Sequence, residues 1–465
     1  AREIGYSKGE RHIIGILGTL HRNLGQLTQA IKYNQQALDI ARKINDRKGE
    51  GYQLGQLAAD YNFLGQIDKA IEYSQKALSI AYETKNHDSE LQILGTLATI
   101  YGSLGQMENA IEYNQQAVAI ARKIGDRYSE VDGILNLGVV NHYLGQMAKA
   151  IEYYEQGLAI ARKIGDRQQE GKALGNLGVI YSDLRQIENA RKYNQQALTI
   201  AREIGDRYSE CGYLHHLGNI YGELGHEQKA VKYYNQTLTI AREIGDRQQE
   251  CRTLCNFGTI YGKLGQIEKD IEYNQRALII IREIGLRREE SDCLTNLGDA
   301  YQQLKQIEKA IDYHKQALII AQEIDYSQAQ YRITNKLGTD YRIIGKMQQA
   351  KKYYKQALTI AQRIKDRNKE YNCLANLGFV YDMLDEPKKC IKYCQQALRL
   401  ARELRNRQGE VNQLGNLGNI YYILGQVEQA RKYLKLSLTV YENVKSPHSK
   451  LHRKLLNELE NAVKL

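Results

Sequence analysis

The sequence predicts an all-α protein, an α-solenoid in which about eleven two-helix units follow one another. The first observation is a 40-residue period that continues through most of the 465 residues without an insertion. The second is composition, because only two prolines occur and helix-favouring residues dominate. The third is a stripe of apolar residues at three- and four-residue spacing in each half of a unit. A fixed period of this length is typical of solenoids, whose units bury their apolar faces against their neighbours.

Two markers define the period: a Leu-Gly pair, or a close variant of it, and a tyrosine 15 residues after its second residue. The pairs are Leu17-Gly18, Leu57-Ala58, Leu97-Ala98, Leu137-Gly138, Leu177-Gly178, Leu217-Gly218, Phe257-Gly258, Leu297-Gly298, Leu337-Gly338, Leu377-Gly378 and Leu417-Gly418. The tyrosines are Tyr33, Tyr73, Tyr113, Tyr153, Tyr193, Tyr233, Tyr273, Tyr313, Tyr353, Tyr393 and Tyr433. We therefore predict eleven repeats over residues 11–445. Residues 1–10 would end a preceding truncated repeat, and residues 446–465 would form a C-terminal capping helix.

One unit, residues 166–205, illustrates the local signals. Asp166 is suited to cap a first helix, and a glycine commonly follows that helix as a stop signal. Gly205 ends the second helix in the same way. Small residues stand where the two helices should cross, at Gly178, Ala190 and Ala197. Each unit is thus predicted to be two antiparallel helices of about 17 residues joined by short turns.

These features resemble the tetratricopeptide repeat (TPR) family. The Leu-Gly-x-x-Tyr of the first helix and the two alanines of the second, seven residues apart, are its signature. The usual repeat has about 34 residues, whereas here the second helix runs further, as in the long-repeat subgroup of Pins-like scaffolds, kinesin light chains and bacterial regulators. The resemblance implies a right-handed superhelix. It also implies that the first helix of each unit, helix A, lines a concave groove, with the second, helix B, outside it.

Asparagine recurs on helix A, two positions before the Leu-Gly glycine or one position after it. In the family these positions face the groove. They hold Asn136, Asn176, Asn256, Asn296, Asn376, Asn416, Asn219 and Asn419. An asparagine amide both donates and accepts, so a series of them suits the backbone of a peptide lying along the groove. The alternative is that these side chains bridge neighbouring helices or are simply solvated.

Two other groups on the same face would supply specificity. Arg252, Arg332 and Lys336 could pair with carboxylates of a ligand. Exposed apolar residues mark contact surfaces, and two such regions are predicted, unless neighbouring helices bury them. The first comprises Phe63, Val139 and Tyr143, and the second Ile343, Phe379, Met383 and Ile423.

Catalytic motifs do not stand out. The sequence has no phosphate-binding loop and no nucleophile elbow, and its conspicuous carboxylates recur with the repeat. No cofactor motif is present. Cys211 with His215 and Cys251 with Cys255 have a spacing that could bind zinc, but cysteine as a small apolar residue explains these positions as well. Asp270 replaces an alanine of helix B and is predicted to weaken its repeat.

The bulk properties bear on location and partners. Seven cysteines at helical positions favour a reducing cytoplasm over a disulfide framework. No apolar run approaches the ~20 residues that span a bilayer. The first five residues match the end of a unit and lack an initiator methionine, which suggests a fragment whose upstream part is an effector or signalling domain.

The sequence thus favours a non-catalytic module that binds a peptide or protein segment in its groove, as the sensor or scaffold part of a larger regulatory protein. The alternative is a nucleic acid or acidic partner on the basic C-terminal third. Residues 301–465 hold 29 Lys and Arg against 16 Asp and Glu, although the whole chain has a net charge of +11. The cations of helix B there are Lys351, Lys352, Lys355, Lys388, Lys389, Lys392, Arg431, Lys432 and Lys435.

Overall fold

A computed structural model describes residues 2–441 together with 453, 454 and 456. The chain divides by its internal contacts into two compact units, Ala1–Gln236 and Thr237–Leu465. In both units, helices A and B alternate, so the prediction of an all-α solenoid of two-helix repeats is confirmed. None of the described helices combines the length and apolarity needed to cross a bilayer.

The helices are short and nearly uniform in length. The first eleven are α1 (Arg2–Asn23), α2 (Leu27–Lys43), α3 (Arg47–Phe63), α4 (Ile67–Glu83), α5 (His87–Ser103), α6 (Met107–Ile124), α7 (Arg127–Tyr143), α8 (Met147–Ile164), α9 (Arg167–Asp183), α10 (Ile187–Ile204) and α11 (Arg207–Glu223). The others are α12 (Glu227–Glu243), α13 (Arg247–Lys263), α14 (Ile267–Glu283), α15 (Arg287–Gln303), α16 (Ile307–Glu323), α17 (Ser327–Ile343), α18 (Met347–Arg363), α19 (Arg367–Met383), α20 (Pro387–Glu403), α21 (Arg407–Ile423) and α22 (Val427–Tyr441).

The ends of the helices are fixed by the residues that the sequence indicated. Asp166 accepts a hydrogen bond from the backbone N–H of Gln169 at 3.0 Å and caps α9. Gly205 follows α10 at a φ of 71°, the left-handed region where glycine is favoured. Arg185 takes up the same conformation after α9, where most repeats have glycine. The left-handed turn after helix A therefore recurs even where its glycine is replaced.

Close packing of helix A on helix B explains the small residues. Ala190 and Ala197 are fully buried in α10, and a Cβ on Gly178 would overlap the side chain of Asn194. Beside most crossings, an aromatic residue of helix A stacks on a tyrosine of helix B, as Tyr181 does on Tyr193 with ring centroids 5.3 Å apart. Offset stacking of this kind adds to the stabilisation from apolar burial.

Consecutive repeats are joined by a recurrent ion-pair cluster. A glutamate in the first turn of helix A accepts hydrogen bonds from an arginine at the end of the preceding helix B and from an arginine three residues before it. This glutamate is half-buried at Glu50 and buried in the other sets. The sets are Arg42/Arg47/Glu50, Arg122/Arg127/Glu130, Arg162/Arg167/Glu170, Arg202/Arg207/Glu210, Arg242/Arg247/Glu250, Arg282/Arg287/Glu290 and Arg402/Arg407/Glu410. The glutamate also lies at the positive end of the helix dipole, which favours its charge.

The two chain ends bear on the predicted repeat boundaries. Helix α1 continues from Arg2 through residues 5–10, where the repeat pattern predicts a turn. Tyr6 stands there, where most other repeats have a capping Asp or Asn. The predicted capping helix, residues 446–465, lies almost entirely outside the described residues. Of its apolar residues, Leu456 packs against Ala430 and Leu434.

The crossing glycines give a direct test of this packing. A Cβ on Gly138 would lie 2.5 Å from Cε1 of the buried Tyr154. We expect Gly138→Ala to lower the free energy of unfolding by about 1 kcal/mol, because overpacking outweighs the gain in helix propensity. Urea unfolding would measure it. The control Gly212→Ala meets no atom within 4 Å and should be neutral or stabilising; equal effects at both sites would contradict the packing argument.

Candidate functional site

The asparagine series lies on helix A, and most of its amides are available. Within the described part of the chain, the side chains of Asn136, Asn176, Asn296, Asn416 and Asn419 make no hydrogen bond. Asn416 is exposed and the other four are half-buried. Asparagines that served to bridge helices would be bonded internally, so these five do not bridge helices and are either solvated or open to a ligand.

Three members of the predicted series are engaged within the protein. Asn219 accepts a hydrogen bond from the hydroxyl of Tyr234 at 2.8 Å. Asn376 donates to the side-chain oxygen of Asn335 at 3.2 Å, and Asn256 also has an interaction within the chain. The sequence could not distinguish these three asparagines from the others. Whether an asparagine has a partner depends on which residue lies opposite it on the adjacent helix.

The three predicted cations are all neutralised by carboxylates. Arg332 pairs with Asp292, and Arg252 lies 3.6 Å from Glu289. Lys336 Nζ lies 2.6 Å from Asp299. Burial raises the pKa of Asp299, but hydrogen bonds and charges from His314 and Lys336 outweigh it and hold that pKa below its ordinary value. These cations therefore do not form an uncompensated positive surface for a ligand carboxylate.

The predicted apolar regions are largely exposed. Phe63 and Tyr143 have 68% and 78% of their surface accessible, whereas Val139 is half-buried. In the second unit, the guanidinium of Arg342 lies 5.4 Å from the ring centroid of Phe379. Met383, Ile343 and Ile423 are exposed there as well. Neighbouring helices thus do not cover these side chains, and they remain candidates for contact with a partner.

Three adjoining cavities lie along helices α5, α7 and α9 of the first unit. Their volumes are about 460, 490 and 240 Å³. The first is mainly apolar, with Met107, Val139 and Tyr143 in its walls. The second is lined by carboxylates and amides. Asn136 lines all three, so this member of the asparagine series lies at their centre.

The geometry gives less support to a metal site or to a polyanion-binding face. Among the described residues no group of three or more His, Cys, Asp or Glu side chains could hold a metal ion. Cys251 is buried, and burial raises the pKa of its thiol to about 12. On the basic face of helix B, Lys351 and Lys389 both pair with Glu386, which reduces the charge offered to a polyanion.

Comparison with known proteins agrees with this architecture. Tetratricopeptide repeat models match residues 13–48, 53–123, 130–203, 173–243, 208–278, 249–323, 327–403 and 370–443. The chain therefore belongs to the tetratricopeptide repeat family. Membership of this family supports a protein-interaction scaffold. No curated protein matches the chain significantly.

Several solved structures share the fold. The apo quorum sensor NprR from B. thuringiensis is 16% identical, with a TM-score of 0.52 over 74% of this chain and 99% of that one. Aspartyl phosphate phosphatase F from Bacillus subtilis is 15% identical, with a TM-score of 0.50 over 77% and 94%. A signal transduction ATPase with a tetratricopeptide repeat sensor from Pyrococcus horikoshii is 21% identical, with a TM-score of 0.51 over 78% and 52%. At these identities the likeness concerns the fold alone.

Proposed function

We propose that the chain is a non-catalytic module that binds a peptide or protein segment along helix A. The observation that carries the proposal is the side chain of Asn136, which is half-buried, makes no hydrogen bond within the described residues and lines three adjoining cavities. A half-buried amide without a partner gains free energy when a ligand backbone supplies both a donor and an acceptor. Asn176 extends the same surface into the third cavity.

The same arrangement accounts for selectivity. Amides that hold a peptide backbone are indifferent to sequence, so side-chain pockets beside them must distinguish one ligand from another. A role as the sensor or scaffold of a regulatory protein is in keeping with two of the similar folds, which are described as a quorum sensor and as a tetratricopeptide repeat sensor.

The test starts from panning a random linear peptide library against the chain and synthesising the enriched peptides. We expect Asn136→Ala/Asn176→Ala to bind them about tenfold or more weakly, because each lost hydrogen bond is worth about 0.5–1.5 kcal/mol. Calorimetric titration measures the affinity. The control Asn109→Ala/Asn189→Ala removes two asparagines of helix B, whose amides donate to Gln106 and Gln186, and should bind like the parent.

Two results would count against the proposal. One is a library from which no peptide is enriched, and the other is a double variant that folds and binds as tightly as the parent. Retention of nucleic acid by the chain, with affinity that falls steeply as salt rises, would transfer the function to the basic face of α18, α20 and α22.

A further inference from the structure

Glycine lines two of the three cavities at positions where the fold does not require it. A Cβ on Gly95 or Gly102 of α5 would meet no atom within 4 Å. Neither residue has a positive φ, and glycine lowers helix stability relative to alanine. By contrast, Gly175 of α9 faces the ring of Tyr213 at close range and is required for packing. The absence of side chains at Gly95 and Gly102 leaves the two cavities more open.

The apolar cavity also depends on a buried residue of helix B. In three other repeats the position of Asn114 holds a tyrosine that packs beneath the Leu-Gly glycine. The pairs are Tyr154 with Gly138, Tyr234 with Gly218 and Tyr354 with Gly338. Where it is bonded, the tyrosine hydroxyl reaches the residue after the glycine, as Tyr354 reaches Thr339 at 3.1 Å. In the third repeat Ala98 replaces the glycine and the shorter Asn114 leaves the space beside Thr99 unfilled, which becomes part of the cavity.

Asn114 also has a free acceptor. Its surface is 2% exposed and its Nδ2 donates to the carbonyl of Ala110 at 2.8 Å. In the described part of the chain its Oδ1 accepts no hydrogen bond, yet the residue lines both the first and the second cavity. Because the residue lines both cavities, a donor from a ligand can reach this oxygen.

The second cavity has an uncompensated negative charge. Asp88, Asp126 and Asp132 line it, no Lys or Arg does, and none of the three has an ion-pair partner among the described residues. Asp126 is occupied as the cap of α7, and one oxygen of Asp132 accepts a hydrogen bond from Gln169 Nε2 at 3.3 Å. The carboxylate of Asp88 and the second oxygen of Asp132 are left for a ligand. Elsewhere in the protein carboxylates are commonly paired with arginine, so this region attracts a cationic group.

We infer that these cavities recognise an extended segment of a partner protein that carries a large apolar side chain next to a lysine or arginine. The apolar side chain enters the first cavity, whose volume of about 460 Å³ falls within the roughly 300–1,000 Å³ of typical ligand sites. The cationic side chain lies beside Asp88 and Asp132. The backbone between them donates to Asn114 and bonds with Asn136. This inference rests on the proposed function and names the ligand's chemistry.

The peptides enriched from the library provide the probe, each made also with its apolar residue replaced by alanine. On the parent chain we expect that replacement to weaken binding at least about tenfold. The variant Ala98→Gly/Asn114→Tyr installs the glycine–tyrosine pair used in three other repeats and fills the cavity. On this variant the same replacement should change affinity by less than about twofold, because the cavity no longer distinguishes the two peptides.

A second variant and two controls distinguish an effect of the cavity from loss of folding and from changes elsewhere in the protein. Gly102→Leu places a side chain in the open cavity and should weaken binding without lowering the thermal midpoint. Gly212→Leu, at a glycine outside the lining of these cavities, and Asn194→Tyr, which creates the same pair with Gly178, should leave binding unchanged. Asp132→Asn should reduce the preference for a basic residue.

The outcomes separate the two proposals. If peptides are enriched but share no apolar–basic motif, or if the apolar residue contributes equally on the parent and the filled variant, this inference is overturned while peptide binding stands. If no peptide is enriched, both fail. Coupling between the peptide's apolar residue and the filled cavity would establish the contact.

Discussion

Replacing Asp270 with alanine is expected to stabilise the protein by about 1–2 kcal/mol near neutral pH. Asp270 is buried in α14, where nearly every other repeat has a buried alanine. Its carboxylate accepts one side-chain hydrogen bond, from Asn274 at 2.6 Å. Burial and the nearby charge of Asp299 raise its pKa from 3.8 to about 6, although the bond from Asn274 opposes them. An ionised carboxylate here is therefore poorly compensated, as the sequence predicted.

The gain should depend on pH in a defined direction. Because the folded-state pKa of Asp270 lies above the unfolded value, the folded state binds the proton more tightly. The parent's stability therefore falls as pH rises from about 4 to about 6 and is then constant with respect to this group. The alanine variant lacks that loss, so its advantage is small near pH 4 and complete above about pH 6.5. The expected stabilisation is no larger than about 1–2 kcal/mol because solvent reaches the carboxylate and screens its charge.

Calorimetric unfolding of the parent and the variant across this pH range measures the difference between their stabilities. Contributions from groups common to both proteins, such as His314, cancel in that difference. Asp270→Asn is the matched control, because it keeps the shape and removes the charge, and it should recover most of the gain. An advantage of the same size at pH 4 and pH 7 would show that packing against Gly258 and Gly262, rather than charge, is responsible.

The parts of the structure that follow from local chemistry could be predicted from the sequence. Asp166 caps its helix and Gly178 lies at a helix crossing because the signals for both are contained in one repeat. The pairing of Lys336 with Asp299 could not be predicted in this way. The two residues are separated by about one repeat, so a groove-facing cation in the pattern becomes the partner of a carboxylate on the adjacent helix A.

The cavities also could not be predicted from the sequence. They exist because small residues on two neighbouring helices coincide with the short Asn114 of a third, and each of these residues has an ordinary explanation when read alone. One comparison between repeats could have indicated the cavities. In three repeats a tyrosine at the position of Asn114 is accompanied by a glycine at the position of Ala98. The third repeat departs from that pair at both positions, as does the second with Ala58 and Ser74.

The second large effect concerns the ion-pair cluster between repeats. We expect Glu250→Ala to lower the free energy of unfolding by about 2–3 kcal/mol. Glu250 is buried, with 5% of its surface exposed, and accepts hydrogen bonds from Arg242 at 2.8 Å and Arg247 at 2.6 Å. Removing one member of a buried pair costs about 3–5 kcal/mol. We expect less than this, about 2–3 kcal/mol, because both arginines are about half exposed and can turn to solvent.

The same cluster contains its own control. Arg247 also pairs with Glu283, whose side chain is 53% exposed, and Glu283→Ala should cost less than about 1 kcal/mol because solvent screens that pair. Glu250→Gln should fall between the two, since the ninth repeat has Gln330 at this position and its amide donates to the carbonyl of Ala321 at 2.9 Å. Urea unfolding of the three variants tests this order. If Glu250→Ala cost no more than Glu283→Ala, apolar packing alone would hold successive repeats together.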